Sequence, residues 1–94
     1  RLSAEQGYVV AIYNLAVMWE NGIGLDADIQ KATNFYQMAA EAGLAAAQFN
    51  LGAILEKDAG EGGNMEQARY WFGKAAEQGH NEAKTELAAL RGKT

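Results

Sequence analysis

The sequence predicts an all-α protein, an αα-superhelix (solenoid) of two helix-turn-helix repeats plus a C-terminal capping helix. Three observations carry that expectation. The string "AEQG" at 4–7 returns as "AEAG" at 40–43 and as "AEQG" at 76–79, a spacing of 36 residues in a chain of 94. Sliding the sequence by that period superposes Ala11, Ala47 and Ala83, then Leu15, Leu51 and Leu87, then Met18, Ile54 and Leu90. These stand at i, i+4 and i+7, one face of a helix. Finally, the chain has 11 glycines and no proline, so glycine does the punctuating. A unit of this size cannot bury its apolar face alone and must stack on its neighbours.

Each element follows in order. The first helix of each unit is expected near 8–20, 44–56 and 80–91. The second helices align equally well: Ile29 with Met65, Ala32 with Ala68, Phe35-Tyr36 with Trp71-Phe72, and Ala39-Ala40 with Ala75-Ala76. A stripe alternating small alanines with paired aromatics lets helix backbones approach while the rings fill the gaps. The opposite face (Gln30, Lys31, Thr33, Asn34, Gln37) is polar. Gly22 and Gly24 end the first helix, and Asp28 and Asn64 are placed to cap the second. Gly43 and Gly79 follow the second helices and suit the left-handed conformation that satisfies the last carbonyls. On this reading "AEQG" is the hinge between stacked hairpins. Residues 1–94 form a single domain, with repeats at 8–43 and 44–79, a partial third repeat or cap at 80–91, and residues 1–7 as the remnant of a preceding unit. The chain opens at Arg1 instead of Met, which suggests a processed or excised form.

The two ends differ. The first helix is apolar almost all round (Val9, Val10, Ile12, Tyr13, Val17, Trp19), whereas the matching positions of the last are Asn81, Glu82, Lys84, Thr85, Ala89 and Arg91. The last helix is dressed as a solvent-facing cap. The first is dressed to be covered, by another repeat, a second copy or a partner.

Composition excludes several classes. With no cysteine there is no disulfide framework, thiolate metal site or cysteine nucleophile. A net charge of -4 and scattered basic residues argue against nucleic acid and anionic membrane as partners. The longest apolar stretch, from Tyr8 to Trp19, is interrupted by Asn14 and is too short to span a bilayer.

The strings "AEQGYVVAIYNLAVMWENGIGLDADIQKATNFYQMAAEAG" and "LAAAQFNLGAILEKDAGEGGNMEQARYWFGKAAEQG" resemble Sel1-like repeats, relatives of the tetratricopeptide repeats, over residues 4–90. The second copy departs in its middle turn, where Asp58 stands for Gly22 and Glu61 for Leu25, so "KDAGEGGN" is expected to be the most mobile segment. The resemblance implies a non-enzymatic adaptor or scaffold that holds a peptide or protein segment on an inner surface lined by the first helices.

Candidate binding residues sit beside the core stripe. On the first helix they are Val10, Tyr13, Asn14 and Val17, on the third Phe49, Asn50 and Ala53, and on the last Glu82. Positions 10, 13 and 17 change from copy to copy while the core stripe does not, which suits a surface tuned to a ligand. Asn14 and Asn50 are lone amides one unit apart. Each either bonds a neighbouring helix's backbone and pins the superhelix, or meets the backbone of an extended peptide, for which an amide supplies both donor and acceptor. Tyr13 and Phe49 are either partner anchors or packing residues. If anchors, replacing both with alanine removes partner capture and leaves the helical signal intact.

Other motifs carry little chemistry. "GIGLDA" at 22–27 matches a dinucleotide fingerprint but follows a helix instead of a strand. Glu20, Asp26, Asp28, Glu56, Asp58 and Glu61 gather on one edge as a solvated, helix-capping face, and Asp26 with Asp28 are too few for a calcium loop. His80, the only histidine, opens the last helix and reads as a turn-packing residue. No nucleophile and base pair stands out, so no enzyme activity, cofactor or metal is expected. A protein or peptide partner is the first expectation. Self-association through the apolar first helix is the alternative.

Overall fold

The computed structural model describes residues 4–22, 28–57 and 65–91, which hold five helices: α1 (Ala4–Asn21), α2 (Ile29–Glu41), α3 (Ala45–Lys57), α4 (Met65–Glu77) and α5 (Asn81–Arg91). No strand occurs among the described residues. Each helix packs on the next in sequence, α1 on α2 and α3 on α4 as hairpins, α2 on α3 and α4 on α5 as the stacking joints. The result is a slab of 40 × 35 × 17 Å, about two helices deep.

Local signals in the sequence account for where the helices start and stop. Asp28 is extended (φ -141°), and its Oδ1 accepts the Lys31 N–H at 3.1 Å, capping α2. Gly22, Gly43 and Gly79 adopt φ of 72°, 101° and 89°, a region that a Cβ disfavours. After α2 the Gly43 N–H bonds to the Ala40 carbonyl and the Leu44 N–H to Ala39; after α4 the Gly79 N–H bonds to Ala76 and His80 to Ala75. The same closed turn is thus built twice, one period apart. Residues 58–64, with Asn64 and most of the "KDAGEGGN" segment, and residues 23–27 of "GIGLDA" lie outside the described residues.

The first "AEQG" behaves differently from the other two. Residues 4–7 form the opening turn of α1, and Gly7 has no positive φ. There the chain runs on as helix instead of turning. The hinge reading holds at 40–43 and 76–79 only.

Two clusters make up the core. One joins Ile12 and Ala16 of α1, Ala32, Tyr36, Ala39 and Ala40 of α2, and Ala47, Leu51 and Ile54 of α3. The other joins Ala68, Phe72 and Ala75 of α4 to Ala83 and Leu90 of α5. The predicted core stripe is correct for α3, where Ala47 and Leu51 are fully buried, and for α5. It is wrong for α1. There Ala11 is exposed, Leu15 is 42% exposed and Met18 41% exposed, and burial falls instead on Ile12 and Ala16. The cause is positional: the 11, 15, 18 stripe of a first helix faces the second helix before it, and α1 has none among the described residues.

Candidate functional site

The side of the slab formed by the first helices begins with a polar network at the seam between the hairpins. Tyr36 buries its ring completely between α1 and α3, and its hydroxyl emerges to donate to Glu20 Oε1 at 2.7 Å. Burial, and secondarily the Glu20 bond, hold the Tyr36 phenol well above its ordinary pKa. Asn50 of α3 donates through Nδ2 to the Tyr13 hydroxyl of α1 at 3.2 Å and also lies beside the Tyr36 hydroxyl. The Tyr13 and Tyr36 rings pack at 5.7 Å with a tilt of 59°, a favourable aromatic arrangement. Four side chains from three helices therefore form one track: Glu20, Tyr36, Asn50 and Tyr13.

The second seam is apolar where the first is polar. Phe49 packs against Phe72 at 5.7 Å and stacks on His80 at 4.8 Å. The imidazole packs the turn, as the sequence suggested, and its Nδ1 also accepts the Ala83 N–H at 3.1 Å, capping α5. Phe72 has no hydroxyl to offer Glu56, which is why no counterpart of the Tyr36–Glu20 bond forms in the second unit.

Against this geometry the expected binding residues divide. Val10 (45% exposed) and Asn14 are open on α1, and Glu82 is open on α5. Tyr13 and Val17 are half-buried against the first core cluster, Phe49 and Ala53 against the second, and Asn50 is half-buried in the network. Tyr13 and Asn50 are brought into direct contact. No hydrogen bond among the described residues ties Asn14 or Glu82 to them. Neither asparagine bonds a neighbouring helix's backbone: Asn14 faces solvent and Asn50 bonds a phenol.

The backbone pins are glutamines, which the sequence reading passed over. The Nε2 of Gln48 donates to the Ala40 carbonyl at 3.1 Å from a 3% exposed position. Gln78, the glutamine of the last "AEQG", places its Nε2 at 2.8 Å from the Gly43 carbonyl and 3.1 Å from Gln48 Oε1. The bonds to Ala40 and Gly43 cross the joint between consecutive units, and the Gln78–Gln48 bond links the two pins. Gln48 and Gln78 also line a cleft of about 470 Å³, beside the exposed Tyr70 and the half-buried Trp71. Gln78 was legible as the variable letter of the repeated tetrapeptide. Gln48 was legible as a lone polar residue on a buried face.

Among the described residues no group of three or more histidine, aspartate or glutamate side chains is arranged to hold a metal ion. No helix among them is long and apolar enough to cross a membrane.

The profile of the Sel1 repeat matches residues 9–44 and again 45–80. The chain belongs to the Sel1 repeat family. Two solved structures agree. A Sel1 repeat protein from Oxalobacter formigenes is 34% identical with a TM-score of 0.83, over 95% of this chain and 37% of that one. The protective antigen c5321, present in uropathogenic Escherichia coli strains and displaying an SLR fold, is 35% identical with a TM-score of 0.84, over 97% of this chain and 20% of that one. The present chain thus spans well under half the length of either. No curated protein matches it. Sel1 repeats make a helical, non-catalytic interaction fold that generally mediates contacts between proteins.

Proposed function

We propose that this chain is a non-enzymatic binding module that holds an extended peptide segment of a protein partner along the side formed by α1, α3 and α5. The Tyr13–Asn50 bond is the observation that carries the reading. Asn50 donates an N–H to the Tyr13 hydroxyl, which leaves its Oδ1 as an acceptor and the Tyr13 hydroxyl hydrogen as a donor. One peptide unit offers the complementary carbonyl and N–H. Asn14, exposed beside them on α1, repeats the same pair of functions, and Val10 adds an apolar contact. Glu82 contributes a carboxylate at the far end.

Tyr13 and Phe49 are poor probes of this idea, because both rings are packed on the core and their loss would disturb the fold. Asn14 is the cleaner one. A peptide selected for binding from a random library is titrated into isotope-labelled protein. Shifts are expected at Val10, Asn14 and Asn50, and Asn14→Ala is expected to weaken binding by about 10-fold, the scale of one net hydrogen bond. Shifts confined to the cleft beside Tyr70 and Trp71, with Asn14→Ala indifferent, would overturn the reading.

A further inference from the structure

The cleft at the joint between the two units shares no residue with the surface proposed to hold the peptide. Glu41 at the end of α2 lines one wall, and Tyr70, Trp71, Lys74, Glu77 and Gln78 of α4 line the other. Both walls, and the α3 that connects them, belong to this chain. Tyr70 is 57% exposed and meets Trp71 edge-on at 5.0 Å, so the cleft carries open aromatic surface.

Stacking of the repeats does not demand this lining. The buried Ala32 and Ala39 of α2 recur as Ala68 and Ala75 of α4, whereas Asn34, Met38 and Ala42 of the first copy become Tyr70, Lys74 and Gln78 in the second. The packing set repeats and the cleft set does not.

Its hydrogen-bonding capacity is one-sided. The amide donors are spent inward, the Nε2 of Gln48 on the Ala40 carbonyl and that of Gln78 on the Gly43 carbonyl and Gln48 Oε1. Acceptors are left over: Gln78 Oε1, the exposed Glu77 carboxylate, and the Glu41 oxygen other than the Oε2 that accepts from Gln37. Charge points the same way, because two lining carboxylates face the single ammonium of Lys74, whose Nζ lies 5.9 Å from the Tyr70 ring centroid. The chain as a whole carries -4.

A matching ligand brings several donors, a positive charge and a flat face that stacks on an aromatic ring. A guanidinium has all three, with five N–H donors in a rigid plane and a charge it never loses. An ammonium has the charge without the plane. The volume of about 470 Å³ is within the range of small-ligand pockets, and it admits an arginine side chain together with adjoining backbone.

We propose that this cleft is a second binding site, one that takes an arginine side chain of a protein partner against the aromatic pair of α4, with Glu41 and Glu77 as its counter-charges. Lys74 opposes the ligand and keeps the affinity low. The probe is the tripeptide alanyl-arginyl-alanine, blocked at both ends, titrated into the isotope-labelled intact chain. Saturable shifts are expected at the Trp71 indole N–H and the Gln78 side-chain amide. The lysine tripeptide should bind more weakly, and the citrulline tripeptide, equal in shape but uncharged, should not bind. Glu77→Gln should weaken the arginine tripeptide by about 3- to 5-fold and Lys74→Gln should tighten it by about 2-fold, the scale of exposed charge pairs. Both side chains are exposed, so the helical signal should be unchanged in either variant. Asn14→Ala should have no effect on this titration, so the two sites stand or fall separately.

Three results would overturn the proposal. One is the absence of a saturable shift at the Trp71 indole N–H. Another is equal binding of the citrulline or the lysine tripeptide, which would mean that no planar cation is recognised. The third is an arginine affinity that neither Glu77→Gln nor Lys74→Gln alters.

Discussion

α1 and α3 are near-copies, yet they bury different halves of themselves. In α3 the 47, 51, 54 stripe is sealed under α2 while Gln48 and Gly52 face α4, so the helix is covered on two sides. In α1 only the side carrying Ile12 and Ala16 is covered, and the stripe homologous to the heart of α3 stands open. Similar residues therefore contribute differently to stability, because burial belongs to a pair of surfaces and not to a helix.

The sharpest way to break this comparison is to make one substitution in both helices. Leu51→Ala should destabilise by about 2 to 5 kcal/mol, the range for a fully buried leucine, whereas Leu15→Ala should stay within about 1 kcal/mol. Equal losses in denaturant melts would show that α1 is covered after all.

Two glycines of the second hairpin, Gly52 of α3 and Gly73 of α4, differ in a similar way. A Cβ at Gly52 would lie 3.0 Å from the Phe72 ring and 3.3 Å from the Ala68 carbonyl, so Gly52→Ala should cost about 1 to 3 kcal/mol through overpacking. Gly73, inside α4 with nothing within 4 Å of its missing Cβ, should show the opposite sign. Gly73→Ala is expected to stabilise by up to about 1 kcal/mol, from helix propensity alone. Thermal melts of the two variants side by side check both signs.

Tyr36 and Phe72 occupy matching core positions, and only the tyrosine bonds a carboxylate. Tyr36→Phe should cost about 1 to 2 kcal/mol. It should also remove a pH dependence. The folded state holds the Tyr36 proton more tightly than the unfolded chain, whose phenol titrates near pH 10. The native state therefore keeps a proton that the unfolded state gives up. This contribution is fully present below about pH 10 and is lost as the pH rises above it. Urea melts across the alkaline range should show that decline in the parent chain and a shallower one in Tyr36→Phe.

A modest effect is expected at the joint between units. Gln78→Ala removes the bonds to Gly43 and Gln48 from a largely exposed side chain, at a cost of about 0.5 to 1.5 kcal/mol. Amide exchange at Leu44 and Gln48 should quicken with it. Unchanged exchange there would show that the alanine stripes alone hold the joint.

How much was legible in the sequence can be judged from these residues. Gly43, Gly79, Gly22 and Asp28 were readable because each acts on its own backbone within a few residues. Tyr36 was readable as core, but its bond to Glu20 was not, since the two lie 16 residues apart and meet only when the hairpin closes. Asn50 was singled out for its amide, yet its partner turned out to be the Tyr13 phenol, 37 residues away. Leu15 was misassigned because the pattern that marks a buried face is the same whether or not anything covers it.

The sequence by itself determined the helices, their turns, the 36-residue period and the Sel1 repeat assignment, because helical periodicity, capping and left-handed glycines are set by neighbours along the chain. Only the tertiary structure decided which stripe of each helix is dry, which amide meets which phenol and which face of α1 stays open. Those outcomes depend on the surface brought opposite by folding, and apolar burial gains free energy only where a second surface is present to exclude the water.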